Sequence, residues 1–140
     1  MAFDIAKIDI WVGELPDRPR ALQAKLEVLA GAGANLEFVI ARRGGRGKAV
    51  VFMAPIKGAA QIRAAEDACL KKAESMYALR IEGPNQAGLG ERITRALADA
   101  GLNLHGVSAA AIGGRSVTYV RFASTEALRA ARQALHRELR

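Results

Sequence analysis

Few residues of this chain are of the kinds that form crosslinks, bind metals or act as nucleophiles. Its 140 residues include one cysteine and two histidines, and aromatic residues make up 5%. A single cysteine excludes an internal disulfide and a cysteine-based metal cluster. We interpret Cys69 as an inert packing residue, because it continues a helical pattern with Ile62 and Ala65.

Long apolar segments are also missing. The longest uninterrupted apolar run, residues 49–56, is far shorter than the roughly 18 residues that a membrane span requires. The first residues lack the basic and then apolar pattern of a secretory signal. We therefore expect a cytoplasmic protein that makes no contact with membranes. A hydrophobic content of 51% is enough for one ordinary core or for two small fused halves.

Catalytic and cofactor-binding patterns are absent as well. We interpret His105 and His136 as surface residues, and no serine or cysteine lies in a nucleophile motif. The glycines at 31–33 and 44–47 do not lie between a strand and the start of a helix, as phosphate-binding and dinucleotide-binding loops require. We expect a protein that is not an enzyme and that holds no metal or cofactor.

The net charge of +7 is spread over the chain. There are 12 basic and 8 acidic residues up to Lys72 (+4), and 9 basic and 6 acidic residues after it (+3). The one local concentration consists of Arg42, Arg43, Arg46 and Lys48. We interpret it as a solvated hairpin tip in preference to a phosphate-binding site. Nucleic-acid binding remains an alternative function, although the chain lacks the interleaved aromatic and basic residues of RNA-binding sheets.

A 13-residue segment occurs twice. Residues 29–41 return 68 positions later as residues 97–109, and eight of the thirteen pairs are identical. A fixed period shared by two segments is typical of one supersecondary unit used twice. The chain is therefore predicted to be a duplication, with one unit at residues 1–73 and the other at residues 74–140.

Each unit is predicted to contain a strand, a helix, a hairpin and a second helix. In the first unit, Ile8, Ile10 and Val12 alternate as in a strand, and Asp17 offers a helix cap. A helix ending at Gly31 and Gly33, a hairpin at residues 36–43 and 48–54, and a helix over residues 57–73 follow. The second unit repeats this order with a strand at 77–82, a helix ending at Gly101, a hairpin at 104–112 and 117–122, and a final helix capped by Ser124 or Thr125.

The predicted elements give an α+β protein that reads βαββα twice. Because a three-stranded sheet buries little apolar surface by itself, we expect the helices of both units to cover one side of a combined sheet. The strand at residues 77–82 could also complete the first unit as βαββαβ. The sequence leaves this choice open.

Two short motifs recur in the same order in both units. The segments 17–22 and 85–89 each open a helix, and Ala-Gly-x-Asn-Leu at residues 32–36 and 100–104 opens a strand. The order of strand, Asp/Asn-x-Pro-Gly-x-Leu, helix, Ala-Gly-x-Asn-Ile/Leu and strand resembles the ACT domain family. The resemblance covers nearly the whole chain and implies two ferredoxin-like units, each with helices on one face of an antiparallel sheet.

The resemblance also implies a regulatory function. ACT domains typically bind an amino acid or a similar small metabolite, and they alter a catalytic or DNA-binding domain that is attached to them or associated with them. For this chain the resemblance implies a non-catalytic regulatory protein that binds an amino acid, forms a homodimer and acts on an enzyme or a transcription regulator. A protein-interaction module without a ligand is a further alternative.

Ligand sites in the family combine the loop between the first strand and helix with the Asn that opens the next strand, usually at an interface between two ACT units. The ligand-binding residues that the resemblance implies here are Asp17, Arg20, Asn35, Asn85, Gly88, Leu89 and Asn103. The second loop keeps the family's glycine as Gly88 and is favoured. The first has Arg20 there and, with Arg18, would suit an acidic ligand.

The same residues also have purely structural interpretations. Asp17 and Asn85 could be helix caps, and the two Asn residues at the strand entries could satisfy backbone groups. We interpret Gly33 and Gly101 as helix stops in the left-handed conformation. A role in binding is nevertheless consistent with simple chemistry, because a helix N-terminus suits a carboxylate and Asn can both donate and accept hydrogen bonds.

Overall fold

The structure is a computed structural model that describes residues 2–140, and it divides into two compact units. The N-terminal unit consists of residues 9–73, and the C-terminal unit consists of residues 74–140 together with the first strand of the chain. In chain order the elements are β1 (Asp4–Ile8), β2 (Trp11–Pro16), α1 (Ala21–Gly31), β3 (Phe38–Arg43), β4 (Lys48–Ala54), α2 (Gly58–Asp67), β5 (Lys71–Lys72), β6 (Tyr77–Pro84), α3 (Leu89–Asp99), β7 (Gly106–Ile112), β8 (Arg115–Phe122) and α4 (Thr125–Glu138).

The N-terminal unit has an antiparallel sheet in the order β3-β4-β2-β5. Alternate residues of β2 and β4 enter one core, since Trp11, Leu15, Val51 and Met53 are all buried in it. Leu29 of α1 and the small alanines of α2 complete this core. The helices therefore cover one face of the sheet, as the period of two in the strands requires.

The C-terminal unit has the order β1-β6-β8-β7, also antiparallel throughout. Its core draws on both helices and on three strands, and it contains Ile5, Leu79, Ile81, Leu89, Ile93, Leu97, Val120, Phe122, Leu128, Ala131, Leu135 and Leu139. The hydroxyl of Ser124 accepts a hydrogen bond of 3.1 Å from the Ala127 amide, so the predicted cap of α4 is confirmed. The predicted α+β fold of two ferredoxin-like units is also confirmed.

The predicted first strand is wrong, because residues 4–16 form two strands in different sheets. β1 pairs with β6, whereas β2 pairs with β4 and β5. The alternation of Ile8, Ile10 and Val12 continues across the break, since both strands have the same period of two. The first strand of the predicted unit at residues 1–73 thus belongs to the C-terminal unit. In place of the expected combined sheet, there are two separate four-stranded sheets.

The predicted second helix is too long. α2 ends at Asp67, and Cys69 then adopts a left-handed conformation with φ 61° in which its amide donates to the Glu66 carbonyl at 2.9 Å. Cys69 is exposed, so its interpretation as a packing residue is also wrong. The turn brings Leu70 into the core and lets β5 pair with β2. Each unit therefore has its fourth strand, β5 in one and β1 in the other, and β6 belongs to the C-terminal unit.

The two hairpins differ in length by one residue. Arg43 lies opposite Ala49 in the first, and the corresponding Ala111 lies opposite Ser116 in the second. Equivalent residues are therefore 68 positions apart before the hairpin tip and 67 positions apart after it. This offset decides which residues of the two units can be compared.

We expect Ile5→Ala to weaken the C-terminal unit and not the N-terminal unit. Ile5 is only 4% exposed, so truncation should lower the free energy of unfolding by about 2–4 kcal/mol. Amide hydrogen exchange should then show lost protection in β6 and β8 while β2 and β4 keep theirs. Lys7→Ala, at an exposed position of the same strand, is the control. Lost protection confined to β2 and β4 would contradict the strand order.

Candidate ligand-binding site

A left-handed residue precedes the first helix of each unit. Arg20 has φ 72° before α1, and Gly88 has φ 83° before α3. Neither helix has a side-chain cap at its N-terminus, so the interpretation of Asp17 and Asn85 as caps is wrong. The physical reason is that three further residues of loop separate these side chains from the first helical turn.

Asp17 and Asn85 instead connect their loops to the neighbouring hairpin. The Asp17 amide donates to the Gly47 carbonyl and the Asn85 amide donates to the Gly114 carbonyl, both at 2.8 Å. Gly47 and Gly114 are equivalent under the 67-residue offset. The Asp17 carboxylate also pairs with Arg43, with 2.9 Å between Oδ2 and Nε. Both residues thus fix the position of a strand–helix loop against a hairpin tip.

The loop before α3 is open at its centre. A Cβ atom added at Gly88 would have no heavy atom within 4 Å other than those of Gly88 and its two chain neighbours. The amides of Gly90 and Glu91 donate to no acceptor within residues 2–140, as is usual in the first turn of a helix. These donors are therefore available to an anion. The carboxylate of Glu91 repels an anion at this place only weakly, because it forms an ion pair with Arg95, with 2.9 Å between Oε1 and Nη1.

Arg92 holds this loop against the end of α4. Its Nη1 donates to the Gln86 side chain at 3.1 Å, its Nη2 donates to the Glu138 carbonyl at 2.7 Å, and its Nε pairs with the Glu138 carboxylate at 3.2 Å. Leu89, the neighbouring predicted ligand residue, is 6% exposed and lies in the core. Its side chain therefore anchors α3 and does not face the open loop.

Asn35 and Asn103 are exposed at the entries to β3 and β7. Gly33 and Gly101 precede them with φ 79° and 75°, which confirms the predicted left-handed helix stops. Because β7 separates Asn103 from the hairpin tip that contacts Asn85, the two Asn residues of this unit lie at opposite ends of the sheet. The length of β7 puts about 20 Å between these ends. One unit by itself does not bring the predicted residues together.

Arg121 shapes the entry to β7. Its Nη2 donates to the His105 carbonyl at 2.9 Å, and its Nε lies 2.8 Å from the position of a Cβ on Gly106. The N-terminal unit has Ala54 at the place of Arg121 and Phe38 at the place of Gly106. A cation therefore lies at the entry to β7, beside His105 and Gly106, whereas the N-terminal unit has alanine at the equivalent position.

No pattern in the sequence indicated the roles of Gln86, Arg92 and Arg121. Arg92 and Glu138 are 46 positions apart, and no repeat or motif relates them. The sequence does contain the difference between Arg121 and Ala54, but these two residues can be aligned only when the one-residue difference in hairpin length is known.

Among residues 2–140, no group of three or more His, Cys, Asp or Glu side chains is placed to hold a metal ion. None of the helices formed by these residues is long and apolar enough to cross a membrane.

We expect Arg20→Gly to stabilise the protein by roughly 0.5–1 kcal/mol, because a left-handed backbone disfavours residues with a Cβ and suits glycine. Gly88→Ala should destabilise by a similar amount. Urea unfolding measures both changes. Arg18→Gly removes the same charge at a residue without positive φ and should give no stabilisation. An equal gain from Arg18→Gly would contradict the backbone explanation.

Comparison with known proteins identifies the fold. No protein-family model and no curated protein matches the chain. It is similar in structure to a protein of Bacteroides thetaiotaomicron, with TM-score 0.79, 14% identity, and 96% of this chain and 90% of that chain covered. The regulatory subunit of aspartate kinase from Thermus thermophilus gives TM-score 0.64 and 17% identity, covering 99% and 96%. The regulatory subunit of aspartate kinase from Thermus flavus gives 0.59 and 19%, covering 99% and 96%. The chain therefore shares the fold of these regulatory subunits, with two ferredoxin-like α+β units in tandem, as its sequence predicts.

Proposed function

We propose that this chain is a non-catalytic regulatory protein that binds a free amino acid between two copies of its C-terminal unit. The observation that carries the proposal is the open loop before α3, where the exposed Gly88 precedes the amides of Gly90 and Glu91, which have no acceptor in the described part of the chain. A carboxylate is stabilised by such amides and by the positive end of the helix dipole. The remaining polar groups of an amino acid then need partners nearby, and the side chain of Asn85 is one.

The second predicted partner, Asn103, must come from another copy. It lies at the far end of its own sheet from Gly88, as described above. If the free edges of two β7 strands pair in antiparallel fashion about a two-fold axis, the start of one strand meets the end of the other. Asn103 of one copy then approaches the loop of its partner that contains Asn85 and Gly88. Such a dimer would hold two equivalent sites.

The free edge of β7 suits this pairing. The strand contains no charged residue and no proline, and Val107 and Ile112 are 58% and 84% exposed. Uncharged, exposed edge strands pair readily with another strand. The equivalent strand β3 has Arg42 and Arg43 where β7 has Ala110 and Ala111. We therefore assign the dimer contact to β7 and not to β3.

The regulatory role is supported by the proteins that share the fold. Those of Thermus thermophilus and Thermus flavus are regulatory subunits of aspartate kinase. A ligand that contacts both copies stabilises the dimer by its own binding free energy, so occupancy of the site becomes a change in association. An enzyme or a transcription regulator that contacts only one of the two forms would receive the signal.

A thermal-shift screen against the twenty amino acids tests ligand binding. A ligand that binds only the folded form at about 100 times its dissociation constant adds roughly 2.7 kcal/mol of stability, so the melting temperature must rise. Gly88→Arg and Asn103→Ala should each abolish the shift. The backbone at Gly88 should tolerate arginine, since Arg20 has the same conformation in the other unit.

Asn35→Ala is the matched control, because Asn35 is the copy of Asn103 in the unit that we do not assign to the ligand. It should leave the shift unchanged. A panel without any shift would favour an interaction module that has no ligand. Loss of the shift in Asn35→Ala alone would move the site to the N-terminal unit.

Dimer formation through β7 is tested by Ala110→Arg, which installs the residue that the equivalent strand β3 already has. The substitution places two cations close together at a two-fold contact, so the protein should become a monomer in analytical ultracentrifugation. Ala98→Arg, at an exposed position of α3, should leave the association unchanged. A wild-type protein that is monomeric with its amino acid bound would refute the shared site.

A further inference from the structure

One end of the N-terminal unit is strongly cationic. It comprises the loop between β2 and α1 and the tip of the hairpin between β3 and β4. We call this surface the cationic end and define it by its six exposed basic residues, Arg18, Arg20, Arg42, Arg43, Arg46 and Lys48. The corresponding end of the C-terminal unit has only Arg115, and this residue pairs with Glu82.

The charge of the N-terminal unit is concentrated at this end. Glu14 and Asp17 are its only acidic residues, so six basic and two acidic residues give +4 there. Elsewhere in residues 9–73 there are five basic and five acidic residues. The whole net charge of the unit therefore lies at one end, although counting along the chain makes the charge look evenly spread.

The fold brings together arginines that are more than 20 positions apart. The hydrogen bond from the Asp17 amide to the Gly47 carbonyl holds the loop against the hairpin tip. The ion pair between Asp17 and Arg43 adds a second link and neutralises one of the six cations. Arg18 and Arg20 thus lie beside the tip that contains Arg46.

Two of these arginines occupy positions where the backbone prefers glycine. Arg20 has φ 72° and Arg46 has φ 56°, and their equivalents in the other unit are Gly88 with φ 83° and Gly113 with φ 57°. The conformation is the same in both copies, and only the N-terminal unit fills it with arginine. A side chain kept at a conformationally unfavourable position in a loop is an indication of function.

We propose that the cationic end binds a phosphate-bearing ligand. Five of its six cations are arginines, whose planar guanidinium groups match the oxygens of a phosphate with two parallel hydrogen bonds. A second copy of this chain does not suit the surface, because the C-terminal unit carries a net charge of +3 and the rest of the N-terminal unit is neutral. The proposal does not depend on amino-acid binding, which we assign to the other unit.

Two sources can supply the phosphate groups, namely a free polyphosphate compound or the backbone of a nucleic acid. The two loops of the cationic end, residues 17–20 and 44–47, contain no aromatic residue, and the ring of Phe52 on β4 lies beneath Arg42, with 5.7 Å between the guanidinium carbon and the ring centroid. In either case recognition is by charge and by the arginine hydrogen bonds, so binding should weaken as salt concentration rises.

Isothermal titration of the full chain with inorganic tripolyphosphate at about 50 mM salt tests the proposal. The double variant Arg20→Gly with Arg46→Gly should bind at least about tenfold more weakly, since it loses two of the arginine forks. Both substitutions install the residue that the backbone prefers, so loss of binding will not result from unfolding. The control, Arg129→Gln with Arg132→Gln, removes two exposed cations from α4 and should retain binding.

A duplex DNA of about 20 base pairs distinguishes the two sources. A duplex that binds and is displaced by tripolyphosphate would identify the nucleic-acid backbone, and binding of tripolyphosphate alone would identify a free phosphate compound. The proposal is overturned if neither probe binds, or if the α4 control loses as much affinity as the double glycine variant. The amino-acid screen uses other residues, so either proposal can fail without the other.

Discussion

Both proposed binding surfaces depend on two main-chain features that occur in each unit. A left-handed residue, Arg20 or Gly88, turns the chain from strand to helix, and an amide hydrogen bond of 2.8 Å ties the same loop to a hairpin tip. Together they fix where the helix begins and which residues surround its first amides. Because the backbone supplies these features, side chains around them can change without altering the geometry.

The side chains around these features differ between the two units. In the C-terminal unit the loop is neutral and open at Gly88, and the nearby edge strand β7 has no charge. In the N-terminal unit arginines fill the loop, the hairpin tip and the end of β3. The dimer contact and the amino-acid site that we propose use the first of these surfaces, and the phosphate site that we propose uses the second. The start of the chain contributes β1 to the C-terminal unit and so supplies the fourth strand that residues 74–140 lack.

Much of the local structure was predictable from the residues, whereas the partners of these elements were often not. Gly33, Gly101 and Ser124 mark helix ends by their own conformational or hydrogen-bonding properties, and the predictions for them are confirmed. The prediction of a single strand at the start of the chain was wrong, because a period of two does not indicate which sheet a strand joins. Asp17 was assigned as a cap by residue type, but its amide and carboxylate are used by the hairpin.

The sequence by itself determined that one α+β unit is used twice, because its apolar periods, helix stops and motifs are local, and the motifs and helix stops recur 68 positions apart. Only the tertiary structure decided that β1 completes the other unit's sheet, that the arginines of a loop and a hairpin form one surface, and that Asn103 lies far from Gly88. These relations depend on which strands pair and in which register. Pairing is a property of the packed chain, and no short segment encodes it.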